Sequence, residues 1–151
     1  MKKFGASLAI LLATAWVGGL WAIGYMAVPV LFKTLPDRQL AGMLAGQMFT
    51  VIAYVGMVSG LYLLAHRLGC FGSAAIRQST FWVIVVMLLL AMVVQFGIQP
   101  VMADLKAQAL PAEVMHSAYA DRFKALHGAS SICFLVQSLL GIALLLKLER
   151  S

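Results

Sequence analysis

Apolar residues run almost unbroken through four stretches of this chain: Phe4 to Phe32, Met43 to Ala65, Phe81 to Met102 and Ala129 to Leu146. None of the four contains an Asp, Glu, Lys or Arg. A bilayer core about 30 Å thick is crossed by about 20 apolar residues of helix, and each stretch is near that length or longer. Inside lipid, every backbone N–H and C=O must be paired within its own segment or in a closed barrel. Barrel strands alternate apolar and polar positions in segments of about 10 residues, and these stretches do not alternate. The pattern predicts an all-α integral membrane four-helix bundle filling residues 1–151 as one domain. Its expected spans are about 5–32, 43–66, 80–102 and 128–147.

Punctuation between the runs supports the same reading. Thr34-Leu35-Pro36-Asp37 is a helix-start signal, with Pro36 suited to the first helical position. Leu68 to Ser73 carries two glycines and reads as a turn. Pro100, after Gln95 and Gln99, predicts a kink or an end in span three. Residues 103–127 form the one sizeable polar segment. Pro111 is expected to restart a helix there, with Val114, Ala118, Phe123 and Leu126 roughly along one face, as in an amphipathic segment lying on the outer membrane surface or leading straight into span four.

Composition agrees: 63% of residues are hydrophobic and 11% charged, against about 25% charged in soluble domains. The net charge of +6 is spread over loops and ends, so it marks membrane topology rather than nucleic-acid binding. With a cytoplasmic N-terminus, Lys2, Lys3, Arg67, Arg77, Lys147 and Arg150 lie inside. Lys33, Arg38, Lys106, Arg122 and Lys124 then lie outside, with Asp37, Asp104, Glu113 and Asp121. That balance and the leading lysines predict both termini in the cytoplasm. Lys2-Lys3 before an apolar run also resembles a signal peptide, but the run is about twice the length of a signal core, so an uncleaved first span is expected. Cys70 and Cys133 fall on opposite sides of the membrane in this topology, which excludes a disulfide between them.

Few residues bear chemistry. There is no Ser/His/Asp grouping, carboxylate pair, phosphate-binding glycine loop or CxxC, so no catalytic residue, metal ligand or cofactor is assigned. His116 and His127 are 11 residues apart, about 16 Å along a continuous helix, too far to share one metal. Met26, Met43, Met48, Met102 and Met115 fall with those histidines on the outer half, a soft donor set of the kind that suits Cu(I). His127 is the candidate centre of an outward polar pocket with Ser130, Ser131, Gln95, Gln99 and Tyr25. Packing of His127 against a neighbouring helix is the competing reading. Gly42/Gly46 and Gly56/Gly60 are small-x-x-x-small pairs expected to let helices approach closely, within the bundle or between copies.

Two segments carry a family likeness. They are Trp16-Val-Gly18-Gly19-Leu-Trp21 through Ala27-Val-Pro29-Val-Leu31-Phe32, with Leu35-Pro36 and Gly46-Gln-Met-Phe49 following, and Phe123-Lys-Ala-Leu126-His127-Gly128-Ala-Ser130. Together they resemble the transmembrane protein 205-like family, a four-span membrane domain without an assigned activity. The first span is also distantly similar to copper-resistance D and protoporphyrinogen-oxidase membrane families, which place a histidine ahead of the tryptophan. Here Ala9 to Ala15 contains none. The functional expectation is a non-enzymatic scaffold, assembly factor or small-solute conduit of the bacterial inner membrane. Its partners would be the lipid bilayer, further copies of itself or other membrane proteins, and no nucleic acid. The alternative is a copper- or haem-handling redox membrane protein.

Overall fold

The computed structural model describes residues 2–110 and 112–149, without the side chains of Lys2 and Lys3. The helix restart expected at Pro111 and the topology charge of Arg150 lie outside the described residues. Span one consists of α1 (Lys2–Trp21), a π-helical turn (Ala22–Ala27) and α2 (Val28–Thr34). Span two is α3 (Arg38–Phe71), followed by a 3-10 turn (Gly72–Arg77). Span three is α4 (Ser79–Met92), a second π-helical turn (Val93–Ile98) and α5 (Gln99–Ala109). Span four is α6 (Ala120–Glu149).

All four are long and apolar enough to cross a membrane. Each span packs on its sequence neighbour, and α6 closes the ring against α1. This is the up-and-down four-helix bundle that short connections favour. At its centre Trp16, Leu63, Ile84, Met87 and Leu144 are fully buried, one or more from every span.

The prolines are accommodated without ending their helices. A proline has no N–H and its ring collides with the carbonyl four residues back. A π turn opens the ladder by one residue and relieves that collision. Ahead of Pro29 the N–H of Val28 donates to Ile23 O, and ahead of Pro100 the N–H of Gln99 donates to Val94 O, each five residues back. The break expected at Pro100 is therefore a widened turn, and span three continues to Ala109.

Three loop expectations change. Pro36 is not the first helical position; Asp37 caps α3, its carboxylate accepting from the N–H groups of Gln39 (2.8 Å) and Leu40 (3.1 Å). A carboxylate that satisfies two orphan donors defines the helix start, and Pro36 stays outside it. The helix runs through Gly69 and Cys70 and stops at Gly72, whose φ of +54° is the only positive value among the described residues. A lone glycine weakens a helix without breaking it, whereas a left-handed residue ends one. Finally, the helix that leads into span four begins later than expected, at Ala120, and takes in Phe123 and Leu126 but not Val114 or Ala118. α5 ends at Ala109, Val114–His116 is a single 3-10 turn, and α6 begins at Ala120. Ser117 interrupts the segment: its Oγ donates to Val114 O (2.8 Å) and accepts from Tyr119 N (3.2 Å), a local alternative to helical bonding.

Candidate functional site

The outer polar residues are not drawn into one pocket. His127 is exposed and stacks on Phe123, with ring centroids 6.0 Å apart and planes 9° from parallel. Phe123 in turn lies under the Lys106 ammonium at 5.5 Å, and Lys106 donates to Gly42 O at 3.4 Å. The result is a stack of cation, phenyl ring and imidazole that ties α5 to the first turns of α6. Ser130 and Ser131 turn their hydroxyls back to the His127 carbonyl, each at 2.8 Å. Tyr25 packs on Phe134 at 5.1 Å, and Phe134 also meets Phe49 at 5.8 Å. Gln95 and Gln99 are half-buried on span three, Gln95 within the π turn and Gln99 just after it. No hydrogen bond among the described residues joins His127, Gln95, Gln99 and Tyr25.

The glycine pairs separate sharply. A Cβ added at Gly56 would meet the Trp16 indole, with Cε2 at 2.6 Å and Cδ1 at 2.7 Å, and one at Gly60 would meet Leu88 Cδ1 at 3.1 Å and Trp16 Cζ3 at 3.2 Å. These two glycines form a notch for an indole ring rather than a seat for a second backbone. Gly46 has nothing within 4 Å, and Gly42 faces only Phe32 and Lys106 at 3.8–3.9 Å.

The soft outer donors are dispersed in environment. Met26, Met43 and Met115 are exposed and Met102 is buried, while His116 lies 3.9 Å from Glu113. Among the described residues no three His, Cys, Asp or Glu side chains converge to hold a metal. His66 Nε2 and Cys70 Sγ, one helical turn apart at 3.7 Å, form a single two-donor pair.

The polar grouping that the fold does assemble lies at the other end. Tyr62 Oη donates to Gly5 O at 3.3 Å, joining the start of α1 to the end of α3. Arg67, only 5% exposed, donates from Nη1 to Gln78 Oε1 at 2.8 Å and lies over the Phe71 ring at 5.5 Å. Lys147 donates to Ser79 Oγ at 2.7 Å, so α6 is fastened to the start of α4. Arg67, Phe71, Gln78, Ser79 and Thr80 line an open cleft of about 390 Å³. A smaller groove of about 230 Å³ lies beside the first π turn, lined by Trp21, Tyr25, Ser138, Leu139 and Ile142. Sequence reading assigned Arg67 and Lys147 to topology alone. Gln78-Ser79-Thr80 before an apolar run is a helix-start signal, and would have marked one wall of the cleft.

A closed helical bundle with four apolar spans and a lipid-facing surface of aliphatic and aromatic side chains defines a multi-pass integral membrane protein. The chain belongs to the family described as domain of unknown function DUF4149, whose sequence profile matches residues 11–111. No curated protein and no solved structure matches the chain.

Proposed function

We propose that this protein is a non-enzymatic scaffold or assembly factor of the bacterial inner membrane, acting with the bilayer and with other membrane proteins or copies of itself. The observation that carries this reading is the filled interior. The fully buried Trp16 occupies the notch of Gly56 and Gly60, and the large fully buried side chains with it, Val17, Leu63, Ile84, Met87 and Leu144, are apolar, with Ser59 as a single buried hydroxyl among them. A conduit needs a polar or wet path past such a point, so the scaffold reading is favoured over the small-solute conduit. The likeness to transmembrane protein 205-like proteins belongs to the same proposal, and its second segment, Phe123 to Ser130, lies beyond the matched profile. In reconstituted vesicles the protein should pass small solutes no faster than protein-free vesicles. Facilitated uptake, or a stoichiometric Soret band in the purified protein, would overturn the reading; the band would favour the haem alternative.

The same proposal places both termini in the cytoplasm. Support comes from Arg67, Arg77 and Lys147, which share one end of the bundle with the start of α1. Basic residues are retained on the cytoplasmic side. Alkaline phosphatase fused after α6 should be inactive and a cytoplasmic reporter there active. The reverse pattern would invert the topology.

A further inference from the structure

Two hydroxyls, those of Ser59 and Ser138, are buried without a hydrogen-bond partner among the described residues. Ser59 is closed off inside the core. Ser138 is 4% exposed, yet it lines the groove of about 230 Å³ beside the first π turn. A helical serine ordinarily bonds back to a carbonyl three or four residues earlier, as Ser130 and Ser131 do to the His127 carbonyl. Ser138 does not. A buried hydroxyl left unpaired costs free energy, and in lipid there is no water to pair it. The groove is where a partner can reach it.

Depth, size and wall chemistry define that partner. At 1.5 Å per residue, Ser138 and Trp21 each lie about 5 Å from the midpoints of their spans, residues 120–149 and 2–34. Phospholipid headgroups and free ions stay at the surface, about 15 Å from the bilayer centre. The partner must therefore dissolve in hydrocarbon and still carry a polar atom. Trp21 and Tyr25 are four residues apart, as are Ser138 and Ile142, so the groove is about 6 Å tall, one helical turn. A second helix would pack along ridges that continue over several turns. The volume falls below the about 300–1,000 Å³ of pockets for drug-sized molecules, so it seats one ring, with any tail left in lipid. Trp21 and Tyr25 supply aromatic walls, which favour a flat conjugated ring, and Leu139 and Ile142 complete the apolar lining. Tyr25 belongs to the π turn itself, a distortion frequent at functional sites. An alkyl chain would fill the groove and leave the hydroxyl unpaired.

We infer that this groove binds the ring of a lipid-soluble quinone, one ring carbonyl accepting a hydrogen bond from Ser138 and the ring resting against Trp21 and Tyr25. A quinone is flat, dissolves in hydrocarbon, and its carbonyls accept without donating, which matches a single hydroxyl with one hydrogen to give. The inference concerns binding alone. It does not depend on the scaffold reading, whose solute-flux test fails or succeeds separately.

The test is native mass spectrometry of the full chain in neutral detergent, titrated with decylubiquinone or with decylbenzene, which carries the same tail on a ring without carbonyls. Wild-type protein should retain decylubiquinone about fivefold more tightly, the worth of one hydrogen bond in a membrane. Ser138→Ala should remove that preference and leave decylbenzene retention unchanged. Ser59→Ala, which deletes the other unpaired hydroxyl away from the groove, should keep the preference. Ile142→Trp, filling the groove from a half-exposed position, should abolish retention of both compounds. Without ligand, Ser138→Ala should melt at or above the wild-type temperature, because it removes an unpaired group. A lower melting temperature would place the hydroxyl in a bond within the bundle and overturn the inference. Equal retention of the two compounds by wild type, or a quinone preference that survives Ser138→Ala, overturns it as well. So does a wild-type dimer that Ile142→Trp dissociates, since a second copy would then cover the groove.

Discussion

Gly56→Ala destabilises the bundle, while Gly46→Ala, on the same helix, leaves it unchanged or slightly more stable. The two substitutions share a helix-propensity gain of up to about 1 kcal/mol. At Gly46 that gain stands alone, because nothing lies within 4 Å of the new methyl group. At Gly56 the methyl would press on the five-membered ring of Trp16, 2.6 Å from Cε2 and 2.7 Å from Cδ1. An indole is rigid, and this one is fully buried with no open side to turn towards. Overpacking of this kind costs about 1–3 kcal/mol, enough to reverse the sign of the propensity gain. Melting temperatures in detergent are the measure, and equal values for the two variants would show that the notch does not hold the indole.

Trp16→Ala is the second large effect. Removing a buried Trp costs about 3–5 kcal/mol in soluble cores. In a bilayer the lipid is as apolar as the protein interior, so only packing and cavity terms survive. The lower end, about 3 kcal/mol, is therefore expected. Because the indole is what Gly56 avoids, the two sites are coupled: Gly56→Ala should cost little in a Trp16→Ala background. A double-mutant cycle reads that coupling as a departure from additivity of about 1 kcal/mol or more. Strict additivity would mean that the two side chains do not share the space between α1 and α3.

Much of the fold was legible in the sequence. Uncharged apolar runs announce spans, since a backbone in lipid has to be helical, and Thr34 to Asp37 announce the start of α3, although the cap is Asp37 and Pro36 stays outside the helix. The prolines were read correctly as disturbances and wrongly as possible ends. Whether a helix stops or widens at Pro100 depends on whether neighbouring spans hold it in line, and no local pattern encodes that. The outer candidate residues were chosen for type and depth. Their partners turned out to be Phe123, Phe134 and the His127 carbonyl, groups within reach along one helix or across a contact that only packing supplies.

Residue type and order alone determined that the chain enters the membrane, how many times it crosses, and where its charges gather, because these follow from transfer of side chains and backbone between water and lipid. Tertiary structure decided which of two identical glycine spacings matters. Gly42/Gly46 and Gly56/Gly60 read alike, yet only the second pair faces Trp16. It also decided that Arg67, Thr80 and Lys147 line or rim one cleft. They come from three helices, and their meeting depends on bundle closure and on a turn ended by one left-handed glycine, Gly72. Solvation is a property of each residue, whereas juxtaposition is a property of the packed ring of spans.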